Sequence, residues 1–454
     1  MNTQAPVAII GAGPVGLAAA AHLIERGKQP IIFEAGNEIG YSIKQWQHVQ
    51  LFSPWEFNVD KASKRLLQKE GWEMPPEDQL PTGKELREEY LLPLASLPTM
   101  QSQIKLNAEV TAVSKKNWDK VKDYDREKYP YVLKVKLAKD QEYIIEAKSV
   151  IDASGTWFNP NPIGSSGIPA PGEKHNQGYI AYGIPDVKER LKKEYQNKSV
   201  TVVGSGHSAM QVVLDLLKLQ ESHPETKIHW IMRSTNLDKV FGGGEDDQLE
   251  ARGELGIRAR KAIENDQIKL HTPFLLQRIE EIEDHPHNLR ITGDQNGSQK
   301  YFTTDRIVGT TGFRPDLNMI REVRTNIDPG IESVGDLAPL IDPNIHSCGT
   351  VHPHGINELK HPDENFFITG IKSYGRAPNF LLATGYEQVR SIAAYLTGDY
   401  EAANSIELNL PDTGVCSTDF ILDTEKNGNS ENSTNTGCCG TNKQETQQEN
   451  DCSC

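Results

Sequence analysis

The chain opens with a short apolar run, Val7-Ala8-Ile9-Ile10, of the kind buried on both faces in a parallel sheet. A glycine-rich turn, Gly11-Ala12-Gly13-Pro14-Val15-Gly16, follows at once. A helix-period segment runs from Leu17 to Arg26 and stops at Gly27, and a second apolar run, Pro30 to Phe33, ends at Glu34. This order predicts a strand–turn–helix–strand unit. A second such unit starts at Val200-Thr201-Val202-Val203 and turns through Gly204-Ser205-Gly206-His207-Ser208-Ala209. It continues in a helix from Met210 to Leu219 and a strand from Lys227 to Met232, which ends at Arg233-Ser234.

Other patterns fill the chain around these two units. Ile104–Val113 and Tyr131–Ala147 alternate apolar and polar residues, which predicts antiparallel strands with one solvated face. The charged insertion between them, Lys115–Lys128, reads as an exposed loop. Glu56–Pro98 reads as helical, interrupted at Pro75-Pro76 and Pro81, with Thr82 and Glu85 as a capping pair. Ser149–Thr156 is a buried strand ending in small residues, and Asn159–Gly183, rich in Pro and Gly, reads as a crossing between domains. Leu237–Gly256 reads as irregular. Further strands are expected around Leu289–Ile291, Tyr301–Gly312 and Phe366–Gly370, with a last helix over Phe380–Leu396. From about Thr424 onward the residues are nearly all polar, cannot bury a core and should be disordered.

Each part of the first unit has a physical task. Gly11 permits a tight turn, Gly13 lets backbone approach a pyrophosphate, and Gly16 lets helix and strand pack closely. The helix start offers free N–H groups and a positive dipole end to phosphate. Glu34 can accept hydrogen bonds from ribose hydroxyls, as in the adenosine half of FAD. The second unit ends instead in Arg233, which is either an ordinary surface arginine or a partner for a 2′-phosphate; the latter favours NADPH over NADH. Two dinucleotide units in one chain imply one retained cofactor and one that comes and goes. FAD at the first and NADPH at the second meet that requirement, with Gly204, Ser205, Gly206, His207, Ser208, Arg233 and Ser234 expected at the NADPH. The loop after Glu34 is dense in rings, Trp46, His48, Phe52 and Trp55, which are either ordinary core or, coming after the first unit, placed where a flavin ring would rest.

Composition narrows the partners. The 454 residues suffice for two or three domains, and 48 Lys+Arg against 63 Asp+Glu give a net charge of −15. That balance argues against nucleic acid or an anionic membrane as partner. No apolar run is long enough to span a bilayer, and the first residues do not resemble a secretory signal, so a cytoplasmic protein is expected. The six cysteines fall at 348, 416, 438, 439, 452 and 454. Cys438-Cys439 and the close pair Cys452, Cys454 could bind a thiophilic metalloid or metal ion, or be incidental to a weakly constrained tail. Cys348, His352 and His354 could ligate an ion or simply belong to a polar loop.

Taken together, these motifs resemble the two-dinucleotide-domain FAD/NAD(P)H oxidoreductases, above all those like flavin-containing monooxygenases. Asp152-Ala153-Ser154-Gly155-Thr156 and Thr310-Thr311-Gly312-Phe313-Arg314-Pro315 resemble that family's two small-residue strand ends. The resemblance implies an α/β fold of two doubly wound, Rossmann-like domains, the NADPH domain inserted in the FAD domain, with a disordered Cys-containing tail. The FAD domain would span 1–158 and 326–412, the NADPH domain 159–325 and the tail 413–454. It also implies cofactor contacts at Pro14, Ala35, Ser53, Val110, Ala153, Ser154, Gly155, Thr311, Gly312, Gly370, Tyr374 and Asn379, by backbone more than by side chain near Tyr374.

Two departures stand out. The monooxygenase signature FxGxxxHxxx(Y/F) is absent; Gly172-Glu173-Lys174-His175 with Tyr179 and Tyr182 is the nearest approach. No CxxC or CxxxxC pair follows either glycine motif, although a dithiol beside the flavin is what disulfide reductases use. A narrower resemblance, to flavoproteins of bacterial arsenic-resistance operons, rests on four segments. They are Cys348–Gly355, Lys372–Pro378, Ala383–Arg390 and Leu410–Cys416. It implies NADPH-driven oxygen transfer to a trivalent arsenical or other soft nucleophile. The alternatives are an FAD-dependent reductase of a thiol-bound metalloid or disulfide partner, and a metalloid-binding redox sensor or chaperone.

Overall fold

The computed structural model describes residues 5–235, 237–241, 250–283, 288–346 and 354–408. Its first sheet is all parallel and built from β1 (Val7–Ile10), β2 (Pro30–Phe33), β3 (Ile104–Lys105), β7 (Ser149–Asp152) and β16 (Phe366–Ile368), in the order β16-β7-β1-β2-β3. Helix α1, Pro14–Glu25, crosses from β1 to β2. Its Ala18, Ala19, Ala20 and Ala21 are fully buried, small enough to sit between the sheet and the last long helix, Leu382–Leu396.

The second sheet is also parallel. It holds β8 (Ile180–Tyr182), β9 (Ser199–Val203), β10 (Lys227–Ile231), β11 (Lys269–His271) and β15 (Arg306–Gly309), in the order β11-β10-β9-β15-β8. All five strands fall between β7 and β16 in sequence, so the second sheet interrupts the first. This is the doubly wound α/β architecture that the two glycine units predict. Two antiparallel three-stranded sheets flank it: β4 (Ala108–Lys115), β5 (Tyr131–Leu137) and β6 (Glu142–Ala147), and β12 (Leu275–Glu281), β13 (Leu289–Gln295) and β14 (Ser298–Thr304).

The two crossings between the parallel sheets touch. Pro160 and Phe313 form an antiparallel bridge. Asn161 N donates to Gly312 O at 2.9 Å, and its carboxamide donates to Thr311 O at 3.0 Å. Thr311 Oγ1 donates back to Asn161 O at 2.7 Å.

Several expectations change. Ile104–Val113 is not one strand: Asn107, at φ +52°, breaks it, and Ile104–Lys105 joins the first sheet beside β2. The Pro/Gly-rich crossing contains β8. Leu237–Gly256 is not irregular where it is described, because helices cover Leu237–Phe241 and Glu250–Glu264. Gly256 is there for close packing: a Cβ on it would lie 2.0 Å from Phe241 O. The charged insertion is pinned rather than free. Arg126, buried, grips Asp363 at 2.7 and 2.8 Å through Nε and Nη2. The Thr82–Glu85 capping box forms as the sequence predicts. Cys348, His352, Cys416, Cys438, Cys439, Cys452 and Cys454 lie outside the described residues. No described helix is long and apolar enough to cross a membrane.

Candidate functional site

Strands of a parallel sheet end together, and the predicted residues follow the ends of β1, β2, β7 and β16. At β1 the three glycines differ in what surrounds them. Gly11 sits at φ +101°, and a Cβ there would lie 2.6 Å from Ala153 O. A Cβ at Gly16 would lie 2.0 Å from Gly11 O. Gly13, the residue capping α1, has no described residue within 4 Å of its Cβ position and makes no side-chain cap. The head of α1 thus keeps uncapped N–H groups beside open space, with Pro14 as its first residue. Glu34, at the end of β2, accepts from Ala12 N and Gly36 N, each at 2.8 Å. Its carboxylate therefore braces the glycine turn, while each oxygen retains a second lone pair. Ala35 is exposed beside it, and Val110 is buried at the bulge of β4.

At the end of β7, Ala153 N donates to Ile10 O at 2.9 Å, and Gly155 sits at φ +73°. Ser154 turns its hydroxyl inward, donating to Asp152 Oδ1 at 2.7 Å. After β16, Gly370 sits at φ +66° and gives its N–H to Gln388 Oε1 at 2.7 Å. The Gln388 amide nitrogen donates to Ser373 Oγ at 2.9 Å and lies 2.7 Å from His354 Nε2. His354 is thus engaged in supporting this turn. Tyr374 is fully buried between His354 and Phe380, and burial raises the pKa of its phenol. Asn379 Oδ1 is buried and accepts no hydrogen bond from the described residues.

The second sheet repeats the arrangement. Gly204 sits at φ +138°, with Thr310 Oγ1 2.5 Å from its Cβ position. Gly206 caps the helix His207–Ser222, again with no described residue within 4 Å of its Cβ position. Ser205 is half-buried and Ser208 exposed at this turn, and His207 meets Phe52 edge to face at 5.7 Å. Arg233, after β10, donates to Ser165 O at 3.3 Å. Partial burial and then the like charge of Arg376 lower its pKa. The Ser234 carbonyl accepts the Thr272 hydroxyl. Thr311 and Gly312, which follow β15, are held by the opposite crossing, so the Thr311 side chain is structural.

An aromatic seam lies by these edges. Trp46 lies against Gly83 and 6.4 Å from Trp157, which stacks on Phe313 at 4.8 Å and 28°. Gly183 leaves room for Trp157, whose ring would be 3.0 Å from a Cβ there. Trp157 directly follows one small-residue strand end and Phe313 lies within the other, yet the motifs themselves assign no role to either ring. Ser53 spends its hydroxyl on Asn58 Oδ1 at 2.9 Å. Among the described residues no group of three or more His, Cys, Asp or Glu could hold a metal ion.

Both edges could hold a dinucleotide. A Cβ would stand in the open space at Gly13 and at Gly206, where a pyrophosphate needs backbone contact. The orphaned Asn379 oxygen is a ready acceptor at the first edge. A family model described as pyridine nucleotide-disulphide oxidoreductase matches residues 8–347. The chain belongs to that family. The family's description makes it an enzyme, an oxidoreductase that works with a pyridine nucleotide. No curated protein matches it by sequence.

Solved structures share its fold. The bacillithiol disulfide reductase of Bacillus cereus is 19% identical with a TM-score of 0.63, over 87% of this chain and 99% of its own. The FAD-bound cadaverine monooxygenase DfoA of Erwinia amylovora is 14% identical with a TM-score of 0.61, over 90% of this chain and 99% of its own. The ornithine hydroxylase of Pseudomonas aeruginosa is 14% identical with a TM-score of 0.57, over 86% of this chain and 99% of its own.

Proposed function

We propose that this oxidoreductase takes electrons from NADPH into a resident FAD and uses them to oxygenate a soft nucleophile, a trivalent arsenical foremost, in the cytoplasm. One observation carries the choice of oxygen over a disulfide. Two dinucleotide edges are present, yet residues 1–347 contain no cysteine, so no dithiol follows either glycine turn. Electrons arriving at the flavin need an acceptor that diffuses in. The fold likeness to two proteins named as a monooxygenase and a hydroxylase is compatible with that reading.

The protein's own residues divide the work. The Gly11–Gly16 turn and the head of α1 hold the FAD pyrophosphate, Glu34 the ribose, and the turns at Ala153–Gly155 and Gly370–Tyr374 flank the flavin. Gly204–Ser208 holds the NADPH pyrophosphate, and Arg233 with Ser234 holds the 2′-phosphate. Trp46, Trp157 and Phe313 exclude water from the seam. Bound FAD supplies the two-electron chemistry and the reactivity with oxygen; the protein supplies position and electrostatics.

A second reading, reduction of a thiol-bound metalloid or a disulfide partner, is favoured by the family and by the likeness to a bacillithiol disulfide reductase. Cys438, Cys439, Cys452 and Cys454 would then relay the electrons. A third reading makes the same cysteines the binding site of a metalloid sensor or chaperone. Oxygen uptake during NADPH oxidation, measured with methylarsenite or arsenite, separates them. The first reading expects stimulated uptake and an arsenical product that gains oxygen. Anaerobic turnover lost on Cys438→Ser with Cys439→Ser replaces it with the second. Tight binding without turnover replaces it with the third.

A further inference from the structure

The last residue of β7 and the turn after β16 are joined by an ion pair that has no counterpart in the glycine motifs. Asp152 Oδ2 lies 2.7 Å from Lys372 Nζ, and both side chains are almost wholly buried, at 0% and 2% exposure. Lys372 Nζ also donates to Ser154 Oγ at 3.0 Å. Ser154 donates from its backbone N and its hydroxyl to Asp152 Oδ1, at 3.1 and 2.7 Å. The three side chains close a ring of two hydrogen bonds and one charge contact. Asp152 Oδ2 accepts no well-angled hydrogen bond from the described residues, so its partner there is the charge of Lys372 itself.

The ring fastens two segments of the first edge. On one side is the Ala153–Gly155 turn, whose Ala153 carbonyl sits against Gly11. On the other is the Gly370–Tyr374 turn, which packs on Val15 in the first turn of α1, 3.2 Å from a Cβ at Gly370. The two turns thus touch Gly11 and Val15, which lie on either side of Gly13 in the glycine turn. Burying a cation and an anion carries a desolvation cost that a pair of apolar side chains avoids, so joining strands is a weak reason for such a pair. The hydrogen bonds through Ser154 and the charge of the pair together set the spacing of the two turns, which an apolar contact does loosely.

We propose that Lys372 is a positioning residue for FAD: through Asp152 and Ser154 it fixes the separation of the two turns that flank the cofactor. This rests on the reading that the first glycine edge holds FAD. Four proteins test it, each as full-length apoprotein titrated with FAD by flavin fluorescence and, after reconstitution, assayed for the KM for NADPH. Lys372→Met is expected to raise the FAD dissociation constant at least tenfold. Lys372→Arg, which keeps charge and donors, is expected to return it to within about threefold of wild type. The double variant Asp152→Asn, Lys372→Met removes both charges, so no buried ion is left unpaired. It is expected to melt close to wild type yet bind FAD at least tenfold more weakly, with the KM for NADPH unchanged. Wild-type FAD affinity in the well-folded double variant would show that the pair only supports the fold and would overturn the proposal. Wild-type apoprotein that takes up no FAD would overturn the cofactor assignment itself, and the proposal with it.

Discussion

Alanine at Gly13, Gly16 and Gly206 separates cofactor binding from folding, because the three sites differ in what an added methyl group meets. At Gly13 it meets no described residue within 4 Å, and the backbone there, at φ −84° and ψ −173°, is open to any residue. Alanine is a poorer helix cap than glycine, which costs the fold less than about 1 kcal/mol. If a pyrophosphate uses that space, the methyl displaces it from the backbone. Overpacking of about 1–3 kcal/mol then adds to weakened charge-assisted hydrogen bonds. A loss of about 3 kcal/mol corresponds to a roughly 100-fold weaker FAD complex. At Gly16 the balance reverses. Alanine would gain up to about 1 kcal/mol of helix propensity, but its methyl would lie 2.0 Å from the Gly11 carbonyl oxygen. Backbone must move, and the fold itself should lose stability.

The assay is urea unfolding of the apoproteins beside FAD titration. The expected pattern is Gly13→Ala stable and weak in FAD, and Gly16→Ala unstable. Gly206→Ala should be stable and FAD-replete, with a KM for NADPH raised at least tenfold. A stable Gly13→Ala protein with wild-type FAD affinity would refute the reasoning, since the space beside Gly13 would then not be where phosphate sits.

Three other expectations follow from single contacts. Arg233→Gln should raise the KM for NADPH about tenfold and leave that for NADH unchanged, a split read by steady-state oxidation of each; equal effects on both would remove the 2′-phosphate role. Arg126→Met leaves Asp363 buried without its bidentate partner and should cost about 3–5 kcal/mol in urea unfolding. His361 accepts the Asn326 N–H on Nδ1, and burial pushes its pKa down from 6.5 to about 4. The unfolded chain therefore binds more protons between those values. The stability from neutral His361 is full above pH 6.5 and falls by about 1.4 kcal/mol per pH unit as pH drops toward 4. Melting temperature against pH should be flatter in this window for His361→Gln than for wild type.

The sequence makes the parallel sheets legible because their signals are local. Strand, glycine turn and helix lie within about thirty residues, and each glycine answers a steric demand from its own unit. Contacts made at long range stay hidden. Nothing near Arg126 announces Asp363, and Lys372 looks like any surface lysine until β16 settles beside β7. Gly256 misleads for the opposite reason: glycine commonly marks a loop, but here it marks the place where a helix touches Phe241. The side chains of Ser53, Ser154 and Thr311 illustrate a further limit, since motif position predicts where the backbone goes and not which way a hydroxyl turns.

The touching crossings have a consequence for modularity. To the first sheet, everything between Asn161 and Thr311 is a loop whose two ends are already hydrogen-bonded to each other. Its insertion therefore asks the host for no wider opening than a hairpin would. A short turn joining Pro160 to Phe313 would close the host without shifting a strand, and another insert with adjacent ends could be grafted at the same place. Exchange of the second sheet among proteins of this architecture is thus a transplant across one paired seam, with the first sheet left in register.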